Sequence, residues 1–304
     1  MNSSIIINQV LVLFFIIIIG FLVRKTGVFT QASTKSLTGF LVNVTCPLAI
    51  FTSFQMDYSA SMLAGAGQVL IFALFIHFFA VLLGLGLYKP FPEPTKKVLR
   101  FITIFSNCGF MGFPLLESLY GKAGVFYGSF YVFAFHLFIW TVGVRIYTGR
   151  RDRSPWKQVL TNPNIIAVLL GLACFLLSLK LPAPVYTALE MVGAMNSPLS
   201  MLVVGSLLAE VKFTELFSGI ALYYGTLIRL IVIPLVALLT TNLFPFPPLL
   251  QGVCVLLSAA PAAALTTVLA EKYDGDAHLA SRLIFLSTVL SLFTLPFFVF
   301  LVNK

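Results

Sequence analysis

Ser106-Asn107-Cys108-Gly109-Phe110-Met111-Gly112-Phe113-Pro114 is the stretch whose reading decides the fold of this chain. It lies midway along an apolar segment, from Phe101 to Leu119, of the length of a membrane-spanning helix, which needs about 20 residues. Gly109, Gly112 and Pro114 loosen the backbone hydrogen bonding of such a helix, and Ser106 and Asn107 bring polar side chains to bilayer depth. Irregular backbone persists there only where protein or a water-filled cavity satisfies it. Two readings are open: a packing kink whose glycines seat a neighbouring helix, or one wall of a binding site.

The rest of the sequence supplies the setting. Hydrophobic residues make up 59% and charged residues 10% of the 304, against about a quarter charged in soluble domains. The mean hydropathy of +1.02 agrees. This is the composition of an all-α polytopic membrane protein with the lipid bilayer as its solvent, and no stretch is polar enough for a separate soluble domain. The first apolar run, Ile5 to Val23, is too long for a signal-peptide core and is kept as a span. Cys46, Cys108, Cys174 and Cys254 stand far apart without metal-ligand spacing, so neither disulfides nor a metal is expected, and no cofactor. The net charge of +9 sits in connections beside apolar runs rather than in a basic domain, which argues against nucleic acid as a partner.

Spans are expected at about 5 to 23, 37 to 54, 62 to 88, 99 to 119, 123 to 147, 163 to 180, 185 to 209, 216 to 241, 249 to 270 and 278 to 302, ten in all. The odd-numbered connections then hold fifteen Lys and Arg, the even ones only Lys122 and Lys180. By the positive-inside rule the odd connections face the cytoplasm of a cell-membrane protein and both termini lie outside.

The most basic connection, within 148–162, separates five spans in 1–147 from five in 163–304, and two such halves insert in opposite orientations. An inverted repeat is therefore expected, and the sequence carries its marks. Asn43-Val44-Thr45-Cys46-Pro47-Leu48 in span two matches Ala194-Met195-Asn196-Ser197-Pro198-Leu199 in span seven. The break from Ser106 in span four has a counterpart at Ser258-Ala259-Ala260-Pro261 in span nine. Pro47 to Ser106 is 59 residues and Pro198 to Ser258 is 60. Discontinuous helices four and nine then cross, with their interruptions facing each other near the midplane.

Each break exposes a half-helix N-terminus carrying about half a positive charge, and two converging ends favour an anion. The second halves are expected to begin near Pro114 and Pro261, since proline suits the first helical turn. Ser106, Asn107 and Ser258 add hydrogen-bonding groups, Gly109, Gly112 and Ala260 shape the breaks, and Asn43 and Asn196 are further polar candidates at the paired interruptions.

These residues resemble a known family. Asn162-Pro163-Asn164, the run Met111-Gly112-Phe113-Pro114-Leu115-Leu116 after Asn107 with Tyr120-Gly121, and Ala260-Pro261 through Glu271-Lys272-Tyr273 are similar to motifs of the auxin efflux carrier family, over essentially the whole chain. The resemblance implies a fold like that of sodium/proton antiporters and bile-acid transporters, a crossover of spans four and nine, elevator-type alternating access and a homodimer. It also implies that Asn107 and Asn164 are the polar groups nearest the substrate. The short connection after span five departs from the plant members, which points away from auxin and toward a smaller carboxylate such as malate or malonate.

Other polar residues have competing readings. Glu117, one turn beyond Pro114, either takes a proton at the cavity or faces water at the outer boundary. His77 and His136 suit proton coupling, but helix packing explains them better. Arg229, five residues before Pro234, either attracts an anion or pairs inside the span, or snorkels to an interface. Glu271, Lys272, Asp274 and Asp276 read as a solvated turn, and Gly65-Ala66-Gly67 with Gly84-Leu85-Gly86 as close-packing surfaces. No enzyme signature is present. The expectation is a secondary transporter of a small organic anion. The alternatives are a cation/proton antiporter, which needs intramembrane carboxylates, and a membrane sensor that binds its ligand without carrying it.

Overall fold

A computed structural model describes residues 3–149, 155–209, 218–273 and 275–302. Arg150, Arg151 and Arg153 of the basic connection, together with Lys212 and Asp274, lie outside the described residues. Among the described residues all regular structure is helical apart from an isolated antiparallel bridge between Ser106 and Ala262. Helical segments fall on the stretches read as spans. Six of them, Gln31–Ser53, Ala60–Leu87, Cys108–Thr148, Ala183–Leu208, Ile220–Leu243 and Ala277–Val302, are long and apolar enough to cross a membrane. Pro163–Leu176 and Pro248–Ala259 are shorter apolar helices.

The helices are α1 (Ser3–Lys25), α2 (Gln31–Phe40), α3 (Cys46–Ser53), α4 (Ala60–Leu87), α5 (Glu93–Ile104), α6 (Phe113–Phe138), α7 (Val144–Thr148), α8 (Pro155–Leu160), α9 (Pro163–Leu176), α10 (Ala183–Ala194), α11 (Asn196–Leu208), α12 (Ile220–Leu227), α13 (Ile233–Leu243), α14 (Pro248–Ala259), α15 (Leu265–Lys272) and α16 (Ala277–Val302). Their ends follow from local chemistry. Asn162 caps α9 by accepting from the N–H groups of Asn164 at 3.0 Å and Ile165 at 3.4 Å, with Pro163 in the first turn where it loses no bond. Gly121 turns the chain inside α6 at φ 59°, a conformation that glycine alone adopts without strain.

Prolines set a second pattern. Among the described residues wide π-helical turns occupy Leu41–Thr45, Cys108–Gly112, Ile139–Gly143 and Ile228–Val232, and after three of them a proline, Pro47, Pro114 or Pro234, follows two residues beyond the end of the turn. A proline offers no N–H to the carbonyl four residues back and its ring presses on that carbonyl. Widening the preceding turn by one residue relieves both problems without ending the helix.

The chain packs as two compact units, one of Met1–Leu70, Gly109–Phe133 and Lys157–Glu210, the other of Ile71–Cys108, Ala134–Trp156 and Val211–Lys304. Each draws on both halves of the sequence, so packing partitions the chain differently from the division at 148–162.

In the first unit α1 lies on α11 with backbones in contact. A Cβ added at Gly20 would stand 2.2 Å from the Leu202 carbonyl oxygen, and one at Gly205 1.9 Å from that of Ile17. Gly171 seats the Phe54 ring, whose centroid is 4.8 Å from that of Phe126. Close approach is what holds helices together where lipid is as apolar as the side chains. The glycines expected to do this in α4 do not all do so: a Cβ at Gly67 or Gly86 would meet nothing within 4 Å, and one at Gly84 would touch Arg100 at an ordinary 3.5 Å.

The second unit is built on α5, α14 and α16. His77 donates from Nδ1–H to the Ala73 carbonyl at 2.7 Å and lies among the rings of Phe105, Phe135 and Phe138, a packing position. Asp276 does more than face water. Its carboxylate accepts from the Leu279 N–H at 2.9 Å at the start of α16 and from Thr95 Oγ1 at 3.2 Å at the start of α5.

Candidate functional site

The two sequence breaks meet in the second unit. α5 ends at Phe105, whose backbone is extended (φ −107°, ψ 110°). α14 ends at Ala260 (φ −57°, ψ 145°), because a residue before proline is pushed out of the helical region and Pro261 follows. Freed of helical partners, the two strands pair with each other. The Asn107 N–H donates to the Pro261 carbonyl at 2.7 Å, and the Ala263 N–H donates to the Phe105 carbonyl at 3.1 Å. The Ala262 N–H points away from this pair and donates to Ser287 Oγ of α16 at 3.1 Å. Buried backbone groups have to be satisfied by protein, and here each break supplies partners for the other.

Pro261 therefore plays a different part from the one expected. It lies in the extended segment and offers its carbonyl, and helix resumes at Leu265 without a side-chain cap. In the other break helix resumes as the wide turn Cys108–Gly112, with Pro114 in the first turn of α6.

Beneath the bridge lies Arg229, 1% exposed, in the wide turn that precedes Pro234. Its Nη1 donates to the Thr103 carbonyl at 3.1 Å and the Ile102 carbonyl at 3.4 Å, and its Nη2 donates to the Ser258 carbonyl. Ile102 and Thr103 belong to the last turn of α5 and Ser258 to the last turn of α14, where carbonyls lack intrahelical partners. The arginine thus caps both helix ends rather than snorkelling to an interface. Tyr88 adds a hydrogen bond at 2.6 Å to Thr103 Oγ1, which itself donates to the Leu99 carbonyl, so the end of α5 is tied down from two sides.

The candidate residues sort by unit. Ser106, Asn107, Ser258, Ala260 and Pro261 come together at the paired break, all buried, with Pro261 offering its carbonyl to Asn107. The Ser106 hydroxyl has no hydrogen-bond partner among the described residues, whereas Ser258 Oγ donates to the Cys254 carbonyl at 2.7 Å within its own helix. His136 lies half-buried on α6 in the same unit. Gly109, Gly112, Pro114, Glu117, Asn43, Asn164 and Asn196 belong to the first unit. There Asn164 is buried at the start of α9, and Asn196 accepts from Thr45 Oγ1 at 3.2 Å. Asn43 donates to the Gly39 carbonyl at 2.8 Å from an exposed position, and Glu117 is half-buried. No group of three or more His, Cys, Asp or Glu suited to a metal occurs among the described residues. The double capping by Arg229 and the Ser287 contact escaped the sequence reading. The one signal for the former was an arginine five residues before a proline in an apolar run.

Comparison with known proteins agrees with a transport function. An uncharacterized transporter of Methanocaldococcus jannaschii is 27% identical over 298 residues, covering 94% of this chain and 95% of its own length. An uncharacterized transporter of Methanothermobacter thermautotrophicus is 28% identical over 306 residues, covering 97% of each. The family model described as membrane transport protein matches residues 5–158 and 152–299. The chain is therefore a multi-pass membrane transporter and belongs to the membrane transport protein family, the auxin efflux carrier family that its motifs resemble.

Proposed function

We propose that this transporter is a secondary carrier of a small organic anion, a carboxylate of the size of malate or malonate, with the anion engaged at the paired break by Asn107 and Ser106. The observation that carries this reading is the break itself. Two helices are interrupted side by side, their backbones are joined by the Asn107–Pro261 and Ala263–Phe105 bonds, and the buried Ser106 hydroxyl beside them has no hydrogen-bond partner among the described residues. A carboxylate supplies acceptors for such a hydroxyl and for an asparagine amide, and neither group brings fixed charge that would have to be neutralised in the empty site. A cation carrier instead needs a carboxylate in the break, and neither 102–108 nor 256–264 contains Asp or Glu.

In this reading the unit holding the break moves as one body in an elevator-type cycle, protons or the substrate gradient drive it, the termini lie outside and the protein assembles as a homodimer. Uptake of labelled malonate and malate into proteoliposomes tests it. Asn107→Ala removes a hydrogen bond to a charged group, about 1.5–3 kcal/mol, and should weaken apparent affinity by about 10- to 100-fold. Sodium or proton flux without movement of any carboxylate would refute the anion reading. A terminal reporter active on the cytoplasmic side would refute the orientation.

A further inference from the structure

A broken helix presents two ends of opposite sign, and in a symmetric pair of breaks the two positive and two negative ends oppose each other's fields. Arg229 removes that balance. Its guanidinium reaches the last-turn carbonyls of α5 through Ile102 and Thr103 and those of α14 through Ser258, within one fully buried contact. Each helix end carries about half a negative charge, so the pair amounts to about one, and the arginine carries one positive charge. The resumption of helix at Leu265 has no side-chain cap to offset its positive end. Neither interruption contributes an acidic side chain.

We propose that Arg229 is the positioning residue that sets the charge preference of the paired break: by neutralising the carbonyl ends of both first half-helices it leaves the break attractive to anions, and to dianions above monoanions. The inference rests on the anion reading above and adds to it a residue and a ranking of substrates. The arginine does not touch the substrate in this account. It acts through the two helix ends it holds, and the wide turn before Pro234 places it there.

The test measures binding of malonate, malonamate and malonamide, which share a size and differ in charge, to the native protein and to Arg229→Lys, Arg229→Gln and Arg229→Met. The native protein should prefer the dianion over the monoanion, and the monoanion over the neutral diamide, by about tenfold at each step. Arg229→Lys keeps the charge and should keep that order, although an ammonium cannot match the forked donors. Arg229→Gln keeps a donor without the charge and should bind all three within about twofold of one another, as should Arg229→Met. A purely structural role predicts the reverse, with Gln at least as close to native as Lys. Native-like ranking in a folded Arg229→Gln or Arg229→Met protein would overturn the proposal. If neither neutral variant folds, Arg229→Lys decides alone: an unchanged ranking supports charge setting and a lost ranking overturns it. A native protein that binds none of the three ligands would instead overturn the anion reading itself, and the charge role with it.

Discussion

Replacing Gly205 with alanine tests the helix contact that holds α1 to α11. The new Cβ would lie 1.9 Å from the Ile17 carbonyl oxygen, 2.8 Å from the Phe21 nitrogen and 2.9 Å from the Ile17 carbonyl carbon, all backbone atoms that cannot swing aside. Ordinary contact begins at 3.4 Å, so the helices must part by 3.4 less 1.9, about 1.5 Å, at this point. Overpacking of this kind costs about 1–3 kcal/mol. Alanine also gains up to about 1 kcal/mol of helix propensity over glycine, which would mask part of the loss. Gly86→Ala isolates that gain, since a Cβ at Gly86 meets nothing within 4 Å. The difference between the two variants is therefore the strain, and Gly205→Ala should be the less stable by about 1–3 kcal/mol. Equilibrium unfolding in mixed micelles, followed by fluorescence of the two tryptophans, measures it. Gly20→Ala, which meets Leu202 across the same interface, should be less than additive with Gly205→Ala, because separation forced by one makes room for the other. If Gly205→Ala unfolds together with or after Gly86→Ala, the close approach of α1 and α11 is wrong.

Three further outcomes are expected. Pro234→Ala restores an N–H donor and allows the wide turn Ile228–Val232 to tighten, which would swing Arg229 by about 100° relative to the following turns; dicarboxylate uptake should fall while the amount of folded protein in the membrane is kept, and unaltered uptake would show that the turn does not position the arginine. Ser287→Ala removes the acceptor of the buried Ala262 N–H and should destabilise the protein by about 1–3 kcal/mol in the same unfolding assay, with Ser287→Thr recovering most of it. Lys122 pairs with Glu190 and Tyr186 at a largely exposed site, and Lys122→Ala should cost less than about 1 kcal/mol, the small effect disappearing in high salt.

What could be read from the sequence was whatever is written locally. Helix breakers and polar residues inside apolar runs marked both interruptions, and Asn162-Pro163 announced the start of α9, because capping and proline geometry depend on neighbours one to four residues away. Gly67 and Gly86 of α4 pack against nothing, because a small residue creates the opportunity for close packing without naming the helix that takes it. Gly20, in a run of isoleucine and phenylalanine, carried no such pattern and yet lies against Leu202. The part Pro261 plays is hidden for a related reason: that it lends its carbonyl to Asn107 depends on a segment more than 150 residues earlier in the chain.

Arg229 shows most clearly why the rest was hidden. A lone arginine in an apolar run invites a search for a carboxylate, and the carboxylates of this sequence fall mostly near the ends of apolar runs. Its hydrogen bonds go instead to main-chain carbonyls 126, 127 and 29 residues away, groups that every residue possesses and that no side-chain pattern distinguishes. Those carbonyls exist as acceptors only because α5 and α14 stop where their ends are buried, and both helices stop for reasons the sequence does display. The breaks are therefore written in local sequence, whereas the charge that caps both of them acts only where folding brings the ends of α5 and α14 to one place.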